Sequence, residues 1–85
     1  MIEFTHTITD REGLHARPAS ELTSASRAWE SDVLVSRNGG APVDAKNPVR
    51  LMGLCACQGD SLHVTVQGTD EERAAREIRR VVDAL

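Results

Sequence analysis

Gly13-Leu14-His15-Ala16-Arg17-Pro18-Ala19-Ser20 is the stretch on which the reading of this chain turns, because an extended segment ends there and a helix begins. The first amides of a helix have no intrahelical acceptor, and the macrodipole places partial positive charge on them, so the segment after Gly13 is suited to an anion. Pro18 is tolerated in the first turn, where no backbone donor is needed. His15 stands at the cap position, where Ser, Thr, Asp or Asn would be usual, and a poor cap at a helix start suggests a residue placed for another purpose. An imidazole is a nucleophile, and the forked guanidinium of Arg17 suits phosphate oxygens.

Working outward, Ile2, Phe4 and Ile8 alternate with Glu3, Thr5 and Thr7, which predicts a strand over 2–8. His6 shares the apolar column and is read as a packed residue without a role. Asp10-Arg11-Glu12-Gly13 is a polar loop in which Gly13 is free to take a positive φ. Beyond it, Ala19, Leu22, Ala25 and Trp29 recur at helical spacing and predict a helix from Ala16 to about Trp29.

Val33 and Val35 mark a second strand, Arg37-Asn38-Gly39-Gly40 a type I′ hairpin turn, and residues 41–45 a third strand confined to a sheet edge by Pro42. Asn47 as cap with Pro48 at the first position predicts a short helix ending near Gly53 or Leu54. The alternation Ser61-Leu62-His63-Val64-Thr65-Val66 is a fourth strand, with His63 outward. Thr69-Asp70-Glu71-Glu72 reads as a capping box, with Thr69 as cap and Glu72 reaching back. It opens a helix whose buried stripe is Ala74, Ala75, Ile78, Val81, Val82 and Leu85. The order β-α-β-β-α-β-α implies an α+β fold, an open-faced sandwich with a four-stranded antiparallel sheet and three helices on one face.

With 85 residues the chain is read as one domain over 1–85. It has no run of about 18 apolar residues, so no membrane insertion is expected, and the N-terminus lacks the continuous apolar stretch of a signal peptide. A cytoplasmic protein is expected. A net charge of −3, with Phe4 and Trp29 as the only aromatic residues, argues against nucleic-acid binding. Cys55 and Cys57 are too close for a strain-free disulfide and supply half of a thiolate metal site, so they are read as free thiols, with no metal and no cofactor. Small packed residues with incidental thiols are the favoured reading of that pair, ahead of thiols that confer redox control and of a metal site shared with His63 or His15.

The stretch from Gly13 to Ala19 resembles the active-site signature of the HPr family, the histidine-containing phosphocarriers of the phosphoenolpyruvate-dependent sugar phosphotransferase system. The resemblance extends over the whole chain through the element order, the Asn-Gly hairpin, the helix led by Lys46 and Asn47, and Gln58-Gly59, with one residue inserted near Gly39-Gly40. It implies that His15 accepts a phosphoryl group on Nδ1 from Enzyme I and passes it to EIIA components, as a monomeric carrier in a relay rather than a stand-alone enzyme. The amides at Ala16 and Arg17, with the Arg17 side chain, would favour the unprotonated imidazole and hold the phosphate. Pro48, Val49 and Met52 correspond to an apolar docking patch, with Arg27, Lys46 and Arg50 as its basic rim; core packing and solvated charge are the alternatives for each residue. A regulatory branch, of the nitrogen type or towards a dihydroxyacetone kinase, is a second reading of the output, and a binding module that has lost phosphotransfer is a third reading that the intact His15 and Arg17 disfavour.

Two departures from the family stand out. Glu12 replaces a small polar residue, and a carboxylate beside His15 would favour the protonated ring and repel phosphate unless Arg11 or Arg17 pairs with it; its removal is expected to leave phosphorylation intact or faster. Asn47 stands where many Gram-positive members carry a serine phosphorylated by HPr kinase/phosphorylase. Asn caps a helix as well as serine does but has no hydroxyl. Incubation with that kinase and ATP should therefore place no phosphate on any serine of the chain, as read by mass spectrometry of its peptides.

Overall fold

The computed structural model describes all residues from Met1 to Leu85. The elements are β1 (Ile2–Thr7), α1 (Ala16–Arg27), β2 (Asp32–Arg37), β3 (Val43–Asp44), α2 (Pro48–Gly53), β4 (Ser61–Gln67) and α3 (Glu71–Asp83). The strands form one antiparallel sheet in the order β1-β4-β2-β3. Period-two patterning sends Phe4, Val33, Val35, Leu62, Val64 and Val66 to the helix-covered face, where they join Ala19, Leu22, Leu51, Ala74, Ile78 and Val82 in the core. Glu3, Thr5, His63 and Thr65 stand on the open face, where His63 Nε2 lies 3.0 Å from Glu3 Oε1. This is the expected open-faced α+β sandwich.

The Asn-Gly turn has positive φ at both central residues, 49° at Asn38 and 77° at Gly39, and the Gly40 amide donates to the Arg37 carbonyl at 2.8 Å. A plain two-residue hairpin closed there would set Val35 opposite Pro42. Val35 faces Val43 instead, so the returning strand carries one extra residue before pairing starts. That displacement leaves only Val43 and Asp44 in β3, against the expected 41–45, and the strand lies at the sheet edge as Pro42 requires. Asn47 caps α2 by accepting the amides of Val49 at 3.0 Å and Arg50 at 3.3 Å, with Pro48 leading the helix.

The two longer helices also depart from expectation. Helix α1 stops at Arg27 rather than near Trp29, because the chain beyond it is held from elsewhere: Lys46 Nζ donates to the Trp29 carbonyl at 2.9 Å, and the Asp70 carboxylate accepts the amides of Glu30 and Ser31, each at 3.0 Å. Its buried face is Ala19, Leu22, Thr23 and Ser26; Ala25 and Trp29 are only half-buried. Ser26 is admitted to the core because its hydroxyl donates to the Leu22 carbonyl at 2.7 Å. The expected capping box does not form. Asp70 is the cap residue of α3 but commits its carboxylate to Glu30, Ser31 and the Ser31 hydroxyl, and Glu71, not Glu72, accepts the Gly68 amide at 3.2 Å. Ala74, Ala75, Ile78, Val82 and Leu85 are buried as expected, and Val81 is half-buried.

Asp60 ties together the end of the sheet nearest His15. Its carboxylate accepts the Cys57 amide at 2.8 Å, Arg37 Nε at 2.8 Å and Asn38 Nδ2 at 3.1 Å, while its carbonyl accepts the Ile8 amide at 2.9 Å. The Cys57 amide above all, then Asn38 and Arg37, hold its carboxyl below the usual value of 3.8. A depressed carboxyl contributes stability that is present above the unfolded-state value and is lost as pH falls through the lower folded-state value. Urea midpoints followed from about pH 5 to about pH 2 should therefore fall less steeply in Asp60→Asn than in the wild type, with a residual slope from Asp70 and Glu71, whose carboxyls are also held low.

Candidate phosphohistidine site

The loop from Asp10 to His15 is fixed before the helix begins. Asp10 starts a turn in which the Gly13 amide donates to its carbonyl at 3.0 Å and the Glu12 amide to its carboxylate at 2.9 Å. Asp at the first and Gly at the fourth position of a turn is a legible signal for this geometry. Gly13 has φ +66°, and a Cβ built on it would lie 2.3 Å from the Ala56 carbonyl oxygen and 2.9 Å from Cys57 Cα. The next residue uses that carbonyl, since the Leu14 amide donates to Ala56 at 2.9 Å while the Leu14 side chain enters the core. The loop after α2 is thus the floor on which the His15 loop rests. Its part in the site has no motif of its own in the sequence.

His15 is the cap residue of α1, with extended backbone and no capping bond from its side chain. The Ala19 amide donates to the His15 carbonyl at 3.0 Å, and Pro18 has no amide, so the N–H groups of Ala16 and Arg17 belong to the first turn, where a helix offers them no acceptor. The imidazole is about one-third exposed. Its Nε2 faces Glu12 Oε2 at 3.3 Å, which leaves Nδ1 as the other nitrogen. His15 and Arg17 line one shallow hollow with Asp10, Pro18, Glu21 and Leu85. The Arg17 guanidinium is highly exposed and extends towards Glu21, with Nε 4.0 Å from Oε1. Neither Arg11 nor Arg17 forms an ion pair with Glu12, contrary to the pairing that would have neutralised it.

The residues expected at a docking face fall into two groups. On α2, Val49 is 77% exposed and Met52 46%, with Arg50 also exposed and Pro48 half-buried, while Leu51 is fully buried in the core. Arg27 and Lys46 have structural work: Arg27 Nε donates to the Lys46 carbonyl at 2.9 Å, and Lys46 Nζ reaches Trp29. Both therefore join the end of α1 to the start of α2. Cys55 and Cys57 are exposed free thiols beside the loop that carries His15, and Cys55 has φ +52°. No group of three or more His, Cys, Asp or Glu residues is placed to hold a metal ion. No helix is long and apolar enough to cross a membrane.

Residues 2–84 match the family model described as the PTS HPr component phosphorylation site. The phosphocarrier protein HPr of Mycoplasma pneumoniae is 32% identical over 76 residues, covering 89% of this chain and 86% of that protein. The HPr of Haemophilus influenzae is 32% identical over 73 residues, covering 86% and 85%. Multiphosphoryl transfer protein 1 of Escherichia coli K12 is 35% identical over 71 residues, 82% of this chain but 8% of that protein; this chain spans a tenth or less of the multiphosphoryl transfer proteins it matches. Among solved structures, HPr-C-His from Thermoanaerobacter tengcongensis superposes with a TM-score of 0.89 at 30% identity, covering 99% of this chain and 93% of that one.

The contact at Gly13 sets a stability expectation. Gly13→Ala adds a methyl group against a backbone carbonyl at positive φ, and should lower unfolding free energy by about 2–4 kcal/mol in urea titrations.

Proposed function

The chain belongs to the HPr family of phosphocarriers, and on that premise we propose that His15 takes a phosphoryl group from phospho-Enzyme I and delivers it to EIIA components of sugar uptake systems. The observation that carries this reading is the placement of His15: a partly exposed imidazole at the cap of α1, free of capping duty, beside the first-turn amides of Ala16 and Arg17. Nδ1 attacks the phosphorus, and the positive end of α1 faces the oxygens of the transferred group. Charge-assisted hydrogen bonds from the two amides, and from Arg17 swung off Glu21, would hold the phosphate. That hold must stay weak enough for release, and the exposure of Arg17 is compatible with an exchangeable contact.

On the same reading the carrier works in the cytoplasm, and residues 1–85 act as one domain, a unity supported by the continuous core that joins all three helices to the sheet. Val49 and Met52 supply the apolar centre of the docking face, and Arg50 a basic edge for acidic partners. Arg27 and Lys46 support this face by fixing α2 against α1.

Incubation with labelled phosphoenolpyruvate and Enzyme I tests the proposal. The wild type should acquire acid-labile, base-stable label and His15→Ala none. An unlabelled wild type, in the presence of Enzyme I that labels another HPr, would sink it.

A further inference from the structure

Glu12 stands where its charge reaches the nucleophile, and it does so from one side of the ring. Its amide is pinned to the Asp10 carboxylate, Gly13 behind it is locked against Ala56, and its own carboxylate faces Nε2 of His15 at 3.3 Å. A carboxylate accepts hydrogen bonds but cannot donate one, and it repels a nitrogen lone pair. A neutral imidazole carries its proton on one nitrogen and its lone pair on the other. The charge at Nε2 therefore favours the proton there and the lone pair on Nδ1.

We infer that Glu12 is a positioning residue that holds His15 in the Nε2–H tautomer and so directs phosphorylation to Nδ1. This deepens the phosphocarrier reading and rests on it for its biological use, although the tautomer itself does not. In the transfer step the Nδ1 lone pair forms the new N–P bond while the donor's N–P bond breaks. The electron pair of that bond returns to the donor nitrogen, which leaves as a neutral imidazole when the donor ring's other nitrogen is protonated. No proton leaves Nε2 of His15. The ring gains a positive charge, and Glu12 faces it from the Nε2 side, away from the phosphoryl group on Nδ1. Repulsion between carboxylate and phosphate is limited by that separation, which the sequence alone could not supply. The exposure of Glu12, 74% at its side chain, means that substituting it should leave the fold intact.

Two measurements read the effect without Enzyme I. Nitrogen-15 NMR of the neutral His15 ring reports the tautomer, and phosphorus-31 NMR after treatment with phosphoramidate reports which nitrogen carries phosphate. The wild type should show the Nε2–H form and phosphate on Nδ1. In Glu12→Ala the Nδ1–H tautomer and the Nε2-phosphate isomer should both rise severalfold. Charge reversal in Glu12→Lys should raise them further, and Glu12→Asp, which keeps the charge one methylene shorter, should stay nearer the wild type. Equal tautomer and isomer ratios in the wild type, Glu12→Ala and Glu12→Lys, with unchanged urea midpoints, would overturn the inference. If the ratios shift as stated but Enzyme I does not label the wild type, the phosphocarrier reading fails and the positioning role of Glu12 stands.

Discussion

The Leu14 amide donates to the Ala56 carbonyl, and Gly13 lies so close to that oxygen that no side chain fits between them. This contact joins the loop before α1 to the loop after α2, two segments more than forty residues apart in the chain. Everything at the candidate site depends on it. It fixes the backbone just ahead of α1, and with it the loop from which Glu12 and His15 project. Asp60 anchors the other side of the junction through the Cys57 amide, Arg37 and Asn38, so the platform under His15 is tied into the sheet rather than left as a mobile loop.

The same region shows how stability and reactivity are divided. A helix start is ordinarily secured by a side chain that takes its free amides, as Asn47 does for α2. His15 does not do this for α1, and those amides remain available to an anion. The stabilisation forgone there is supplied by contacts that do not obstruct the site: the buried face from Ala19 to Ser26 and the capture of the chain beyond Arg27 by Asp70 and Lys46.

Basic residues near this end of the molecule differ in kind although they look alike in the sequence. Arg37 serves Asp60, Lys46 and Arg27 serve the junction between α1 and α2, and Arg17 is highly exposed beside Glu21. Charge held in backbone hydrogen bonds has a fixed place and acts through the shape of the surface. A solvated guanidinium can move to a ligand at little cost, which suits the phosphate-holding role proposed for Arg17.

By itself the sequence determined the order of elements, the sheet face each strand buries, the type I′ turn, the Asn47 cap and the histidine at the start of α1, because each rests on spacing within a few residues. Whatever depended on a distant partner was decided by the tertiary structure. Thr69 and Glu72 have the spacing of a capping box, but Asp70 finds the Glu30 and Ser31 amides across the fold and shifts the helix start. Hydropathy favoured Ala25 and Trp29 in α1, whereas Thr23 and Ser26 lie buried once the helix is seated. Glu12 read as a liability beside a phosphate site, because one-dimensional proximity has no direction. In the fold its carboxylate lies on the Nε2 side of the ring, and the positioning role inferred for it rests on that direction.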